Sequence, residues 1–142
     1  MENQLSVTIN KLQHIGIPVT DICRSIAFYS RFGFENVMES PFTIEGETGT
    51  CVMIQLKDII IELYQFPEKQ LQEIKSRKDG HVDHIAFDVD DVDATFKTLS
   101  KDSSIKILED EPVQLPFWKK GCKYFNILGP DGERLEFNEI LK

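Results

Sequence analysis

The chain writes one pattern twice. Residues 14–29 read HIGIPVTDICRSIAFY, and residues 84–99 read HIAFDVDDVDATFKTL. An offset of 70 maps His14 onto His84, Ile15 onto Ile85 and Asp21 onto Asp91. It also maps Ile22, Ile26 and Tyr29 onto Val92, Phe96 and Leu99. These last three pairs recur at i, i+4, i+7, the stripe of an amphipathic helix. Each aspartate stands just ahead of its stripe, where a carboxylate accepts from the free amides of a helix start and suits the helix dipole. Both copies therefore predict a strand followed by a helix.

The remainder reads mostly as strands. After the first helix come FENVMES, bounded by Pro41, then TGTCVMIQL and IIIELYQF, with Lys57-Asp58 between the last two as a tight turn. After the second come SIKILED, GCKYFNIL and ERLEFNEIL, the last two flanking a GPDG turn. EGETG (45–49) and EDEPVQLPFWKKG (109–121) read as loops, and PEKQLQEIKSRKDGH as a connecting helix ending near Gly80. Each half is βαβββ: a module over 11–66 and a module over 82–141, joined by a linker over 67–81 in a single α+β domain, 1–142. One four-stranded sheet with one helix leaves its second face wet. The two modules are therefore predicted to curl into a barrel-like mixed sheet with the helices outside and a shared concave face.

Composition narrows the partners. Net charge is −8 and the sequence pI is about 4.9, which speaks against nucleic acid or an anionic membrane surface, since both demand basic patches. The start, MENQLSVTINKLQ, has no apolar core of a secretory signal, and no apolar run approaches the roughly 18 residues of a membrane span. A cytoplasmic protein is expected. The three cysteines, Cys23, Cys51 and Cys122, form no CxxC and read as reduced, buried small hydrophobes.

Strand alternation sorts the side chains. Ile15, Ile17 and Val19 form a helix-facing row, as do Ile85, Phe87 and Val89, Ile59, Ile61 and Leu63, and Leu135 with Phe137. The opposite parity carries His14 with Gly16, Glu62 with Ile60 and Tyr64, His84 with Ala86, and Glu136 with Arg134 and Asn138. Taken singly, a strand histidine is usually just hydrogen-bonded and a strand glutamate solvated. The joint pattern points to a metal instead: one imidazole and one carboxylate on the first and last strands of each half, all on the face away from the helices. His81 follows Gly80 and has the opposite parity to His84, so it reads as a loop residue. Asp83, Asp88, Asp90 and Asp91 lack the glycine and terminal glutamate of a calcium loop and read as caps and solvated groups.

HIGIPVTDICRSIAFYSRFGF, IIIELYQF, DHIAFDVDDVDATF and FNILGPDGERLEF resemble the vicinal-oxygen-chelate superfamily, from about Leu12 to Ile140. Its members include glyoxalase I, methylmalonyl-CoA epimerase, extradiol dioxygenases and fosfomycin-resistance proteins. The resemblance implies the glyoxalase/bleomycin-resistance fold of paired βαβββ modules. In glyoxalase I-like members a His and a Glu from each half hold the metal, and His14, Glu62, His84 and Glu136 match that set. It implies one divalent ion of the Ni, Co, Zn or Mn type. Epimerase-like members tend to carry Gln where Glu62 stands, and extradiol dioxygenases lack a ligand there, so Glu62 argues for isomerase or lyase chemistry over oxygen chemistry.

The implied activity is that of a lactoylglutathione lyase-like enzyme. It would abstract a proton next to the carbonyl of a 2-oxoaldehyde hemithioacetal and stabilise an enediolate. By analogy Glu136 is the base, with Glu62 the symmetric alternative. A methylmalonyl-CoA epimerase-like enzyme is the neighbouring reading, and a non-catalytic binding or resistance protein of the same fold is the reading from another class. In LPFWKKG, Phe117 and Trp118 read as an apolar pocket wall and Lys119 or Lys120 as the contact for an anionic group, set against a plain surface loop. Tyr64 and Tyr124 join the pocket. The expected partners are a small-molecule substrate and a second copy of the chain, with the four ligands drawn from one chain or from two.

Overall fold

The structure is a computed structural model that describes residues 4–31, 33–77, 82–128 and 134–142. The GPDG turn, Gly80 and His81 lie outside the described residues. The chain divides into two compact units, His14–Asp83 and Met1–Gln13 with His84–Lys142.

The first unit is built from β1 (Lys11–Pro18, entering the unit at His14), α1 (Ile22–Ser30), β2 (Glu35–Ile44), β3 (Glu47–Leu56), β4 (Ile59–Gln65) and α2 (Glu68–Ser76). Its strands lie in the order β2-β3-β4-β1, with β1 parallel to β4 and the other pairs antiparallel. The second is built from β5 (His84–Asp88), α3 (Val92–Ser100), β6 (Lys106–Ile107), β7 (Val113–Leu115), β8 (Cys122–Leu128) and β9 (Arg134–Ile140). The order is β6-β8-β9-β5, with β7 also on β8 and β5 parallel to β9. Each unit is a mixed sheet following one path, which is the βαβββ repeat expected from the sequence.

The repeat extends to single hydrogen bonds. Asp21 Oδ1 accepts from the Arg24 amide at 3.0 Å, and Asp91 Oδ1 from the Ala94 amide at 3.0 Å. The first helical amide of each copy then donates to a side chain from the last strand: Ile22 to Gln65 Oε1 at 2.9 Å and Val92 to Glu139 Oε1 at 3.0 Å. Two of the amides a helix start leaves unpaired are thus satisfied in each copy. Asp91→Ala should cost about 1 kcal/mol of unfolding free energy, and Asp91→Asn, which keeps the acceptor, a few tenths. Paired urea titrations measure both.

The helices cover matching apolar rows. Val19, Val52, Ile54, Ile61 and Leu63 pack with Ile17, Ile22, Ile26 and Tyr29 in the first unit. Val89, Val92, Leu99, Phe125, Ile127 and Phe137 pack with Phe87, Phe96 and Leu135 in the second. Ile59 and Ile85, expected in these rows, are 50% and 39% exposed, so the packed rows begin two residues further on, at Ile61 and Phe87.

Several local expectations are corrected. β2 does not stop at Pro41 but runs through it to Ile44, paired with β3 along its length. It is the outermost strand of its unit, where a residue with no amide hydrogen is tolerated. EGETG is not a loop: Glu45 (φ 49°) and Gly46 (φ 80°) form a two-residue hairpin, with both central residues in the left-handed region that a type I′ turn requires. SIKILED shrinks to the two-residue β6, and the stretch 109–121 contains β7. Between these two strands the Glu109 carboxylate takes over the pairing, accepting from the Asn126 amide at 2.6 Å and from Asn126 Nδ2 at 2.8 Å. Cys51 and Cys122 are buried, whereas Cys23 is exposed on α1.

Candidate metal centre

Register explains how each half places a histidine beside a glutamate. In the first unit Gly16 of β1 faces Glu62 of β4; in the second Ala86 of β5 faces Glu136 of β9. Both residues opposite the carboxylate are small. Both histidines lie two residues earlier, on the same face and diagonal to the glutamate, within reach of a long side chain.

His14 Nε2 lies 4.0 Å from Glu62 Oε1, and His84 Nε2 lies 3.6 Å from Glu136 Oε1. These gaps are too long for direct hydrogen bonds. They suit two donor atoms turned toward one cation, each about 2.0–2.2 Å from it. His14 is 1% exposed, His84 and Glu136 are 7% exposed, and the Glu62 side chain is 13% exposed. A set of imidazole nitrogens and carboxylate oxygens fits a first-row divalent ion.

The remaining carboxylate oxygens are held differently. The Cys51 thiol donates to Glu62 Oε2 at 3.7 Å. Asn138 Nδ2 donates to Glu136 Oε2 at 2.9 Å, while Gln13 Nε2 donates to Asn138 Oδ1 at 3.1 Å, to the Asn138 carbonyl at 3.1 Å and to Asp88 Oδ1 at 3.2 Å. Parity had put Asn138 on the Glu136 face without assigning it a task. Nothing in the pattern of residues marked Gln13, whose partner is 125 positions away.

The expected pocket residues divide. Tyr64 is buried, packed edge-on against Phe42 and Phe66 at centroid distances of 6.3 and 5.1 Å, on the face that carries Glu62. Tyr124 is half-buried and pairs with Asn138 across β8 and β9, on the face of Glu136. Trp118, Lys119 and Lys120 line a cavity of 430 Å³ together with Gln114, Leu115 and Pro116. Phe117 is buried outside that lining. Trp118 has φ 67°, a left-handed backbone that costs a non-glycine residue roughly 1–2 kcal/mol, and its indole N–H is buried without a partner.

A duplicated βαβββ chain with a His–Glu pair in each copy defines a class of protein, and comparison identifies it. The profile of the Glyoxalase/Bleomycin resistance protein/Dioxygenase superfamily matches residues 11–137, and the chain belongs to that superfamily. It is 33% identical over 132 residues to YwbC, an uncharacterized protein of Bacillus subtilis (strain 168), covering 89% of this chain and 95% of YwbC. Among solved structures it is similar to methylmalonyl-CoA epimerase from Mycobacterium tuberculosis, with a TM-score of 0.75, 18% identity, and coverage of 100% of this chain and 94% of that one. It is also similar to a Streptomyces coelicolor methylmalonyl-CoA epimerase in complex with 2-nitronate-propionyl-CoA, with a TM-score of 0.74, 23% identity, and coverage of 95% and 100%. Among the described residues no helix is long and apolar enough to cross a membrane.

Proposed function

We propose that the chain is a metal-dependent enzyme that moves a proton at the carbon beside a carbonyl, acting on a 2-substituted acyl thioester. The observation that carries this reading is the His–Glu pair occurring once in each unit, His14 with Glu62 and His84 with Glu136. In this reading His14, Glu62, His84 and Glu136 are ligands of a divalent ion of the Ni, Co, Zn or Mn type, drawn from one chain or from two. When bound, such an ion polarises the carbonyl and offsets the negative charge that develops on its oxygen. Glu136 takes the proton, with Glu62 as the symmetric alternative; an epimerase needs both a base and an acid, and the repeat supplies one carboxylate from each unit. Tyr64, Phe117, Trp118, Lys119 and Tyr124 are the proposed substrate contacts, and the working form is a cytoplasmic homodimer.

The thioester is put first because methylmalonyl-CoA epimerases recur among the structures of similar fold. A second reading, isomerisation of a hemithioacetal, is favoured by Glu62, a carboxylate where epimerase-like members tend to carry an amide. Deuterium wash-in separates the two. Metal-loaded protein in D₂O is incubated with 2-substituted acyl-CoA thioesters and with hemithioacetals of 2-oxoaldehydes. Exchange at C2 of the thioester is the expected result, with its rate lowered at least ~100-fold in Glu136→Gln. Exchange confined to hemithioacetals selects the second reading. No exchange on either substrate with any of the four metals sinks the enzyme reading.

A further inference from the structure

We infer that Asn138, locked by Gln13, is the positioning residue that aims the Glu136 carboxylate at its metal; this rests on the metal reading above. The donor sense of every link is forced. Asp88 offers only acceptor oxygens when ionised, and it takes hydrogen bonds from Asn10 Nδ2 at 3.0 Å and from Gln13 Nε2 at 3.2 Å. Gln13 therefore presents its NH₂ end, whose two hydrogens are shared among Asp88 Oδ1 and, both at 3.1 Å, the Asn138 carbonyl and Asn138 Oδ1. With Oδ1 turned to Gln13, the Asn138 NH₂ end faces Glu136 Oε2 at 2.9 Å. The reversed amide would set two acceptors against each other at that distance.

Gln13 is 2% exposed and Asn138 3%, so solvent has little access to either amide. Glu136 Oε2 is committed to Asn138, and Oε1 is the oxygen on the side of His84, 3.6 Å from Nε2. The direction set at Asp88 thus passes through two amides and ends as the orientation of one carboxylate. Supporting hydrogen bonds of this kind fix ligand geometry, and their loss typically lowers metal affinity about 10–100-fold.

The test measures divalent-ion affinity on the full chain by competition with a chromophoric chelator, using Mn²⁺ and Co²⁺. Asn138→Leu should raise the dissociation constant roughly 10–100-fold. Gln13→Leu should raise it in the same direction. The double variant should be no weaker than Asn138→Leu within a factor of about 2, because residues acting in one chain are not additive. Metal-free melting curves of the same proteins separate this from a general loss of structure, and Gln13→Leu carries the test if Asn138→Leu does not fold. Wild-type affinity in folded Asn138→Leu, or in folded Gln13→Leu, overturns the inference while leaving the metal reading intact. A wild-type chain that takes up neither ion overturns the metal reading and this inference with it.

Discussion

His84→Ala should leave the protein folded but nearly empty of metal. Wild-type protein purified without chelator is expected to carry about one divalent ion per chain. Removing a nitrogen that belongs to a buried His–Glu pair should weaken binding beyond the ~10–100-fold that follows loss of a merely supporting contact. His14→Ala should do the same, because His14 stands to Glu62 as His84 does to Glu136. Elemental analysis reads the result directly. Thermal melting gives a second reading: an ion held at 100 times its dissociation constant stabilises the native state by about 2.7 kcal/mol, so adding it should raise the wild-type melting point and barely move that of the variants. Full occupancy in either alanine variant would remove that histidine from the ligand set.

The largest stability effect is expected at Phe125→Ala. The ring is fully buried, stacked on Phe137 at a centroid distance of 5.3 Å and an interplanar angle of 22°, and met edge-on by Phe96 at 5.1 Å. It joins the strand β8 to the stripe of α3 in a core that also holds Val89, Val92 and Leu99. Truncation removes the ring's transfer free energy and leaves a cavity, at a cost of about 3–5 kcal/mol. Native domains hold only about 5–15 kcal/mol in total, so the variant should sit near the edge of folding at room temperature. Urea titration with an unchanged slope checks it. A cost below roughly 1 kcal/mol would mean that the aromatic stack does not anchor this unit.

Much of this architecture was legible because the repeat is physical as well as textual. The offset from His14 to His84 carried the two strands, the two aspartate caps and the two apolar stripes, and parity alone put Glu62 and Glu136 on the faces of the histidines. What escaped depends on contacts that local pattern does not encode. Pro41 reads as a strand end until β2 is known to be outermost in its unit. β7 lies in a stretch rich in acids and prolines, and the gap before it is bridged by the Leu108 amide on the Asn126 carbonyl at 2.9 Å and by the Glu109 carboxylate. Gln13 has the parity of the apolar row and finds its partners only in the folded chain. Cys23 is the opposite case: it lies off the Ile22, Ile26, Tyr29 stripe, and the general preference of free thiols for burial outweighed a periodicity that pointed outward.

The loop around Trp118 has a practical consequence. The chain holds a single tryptophan, so all indole emission comes from the wall of the 430 Å³ cavity, from a ring whose N–H has no partner. Any molecule that occupies that cavity changes the surroundings of the only such fluorophore in the protein. The chain thus carries its own optical probe, and ligands can be screened by emission wavelength without attaching a label.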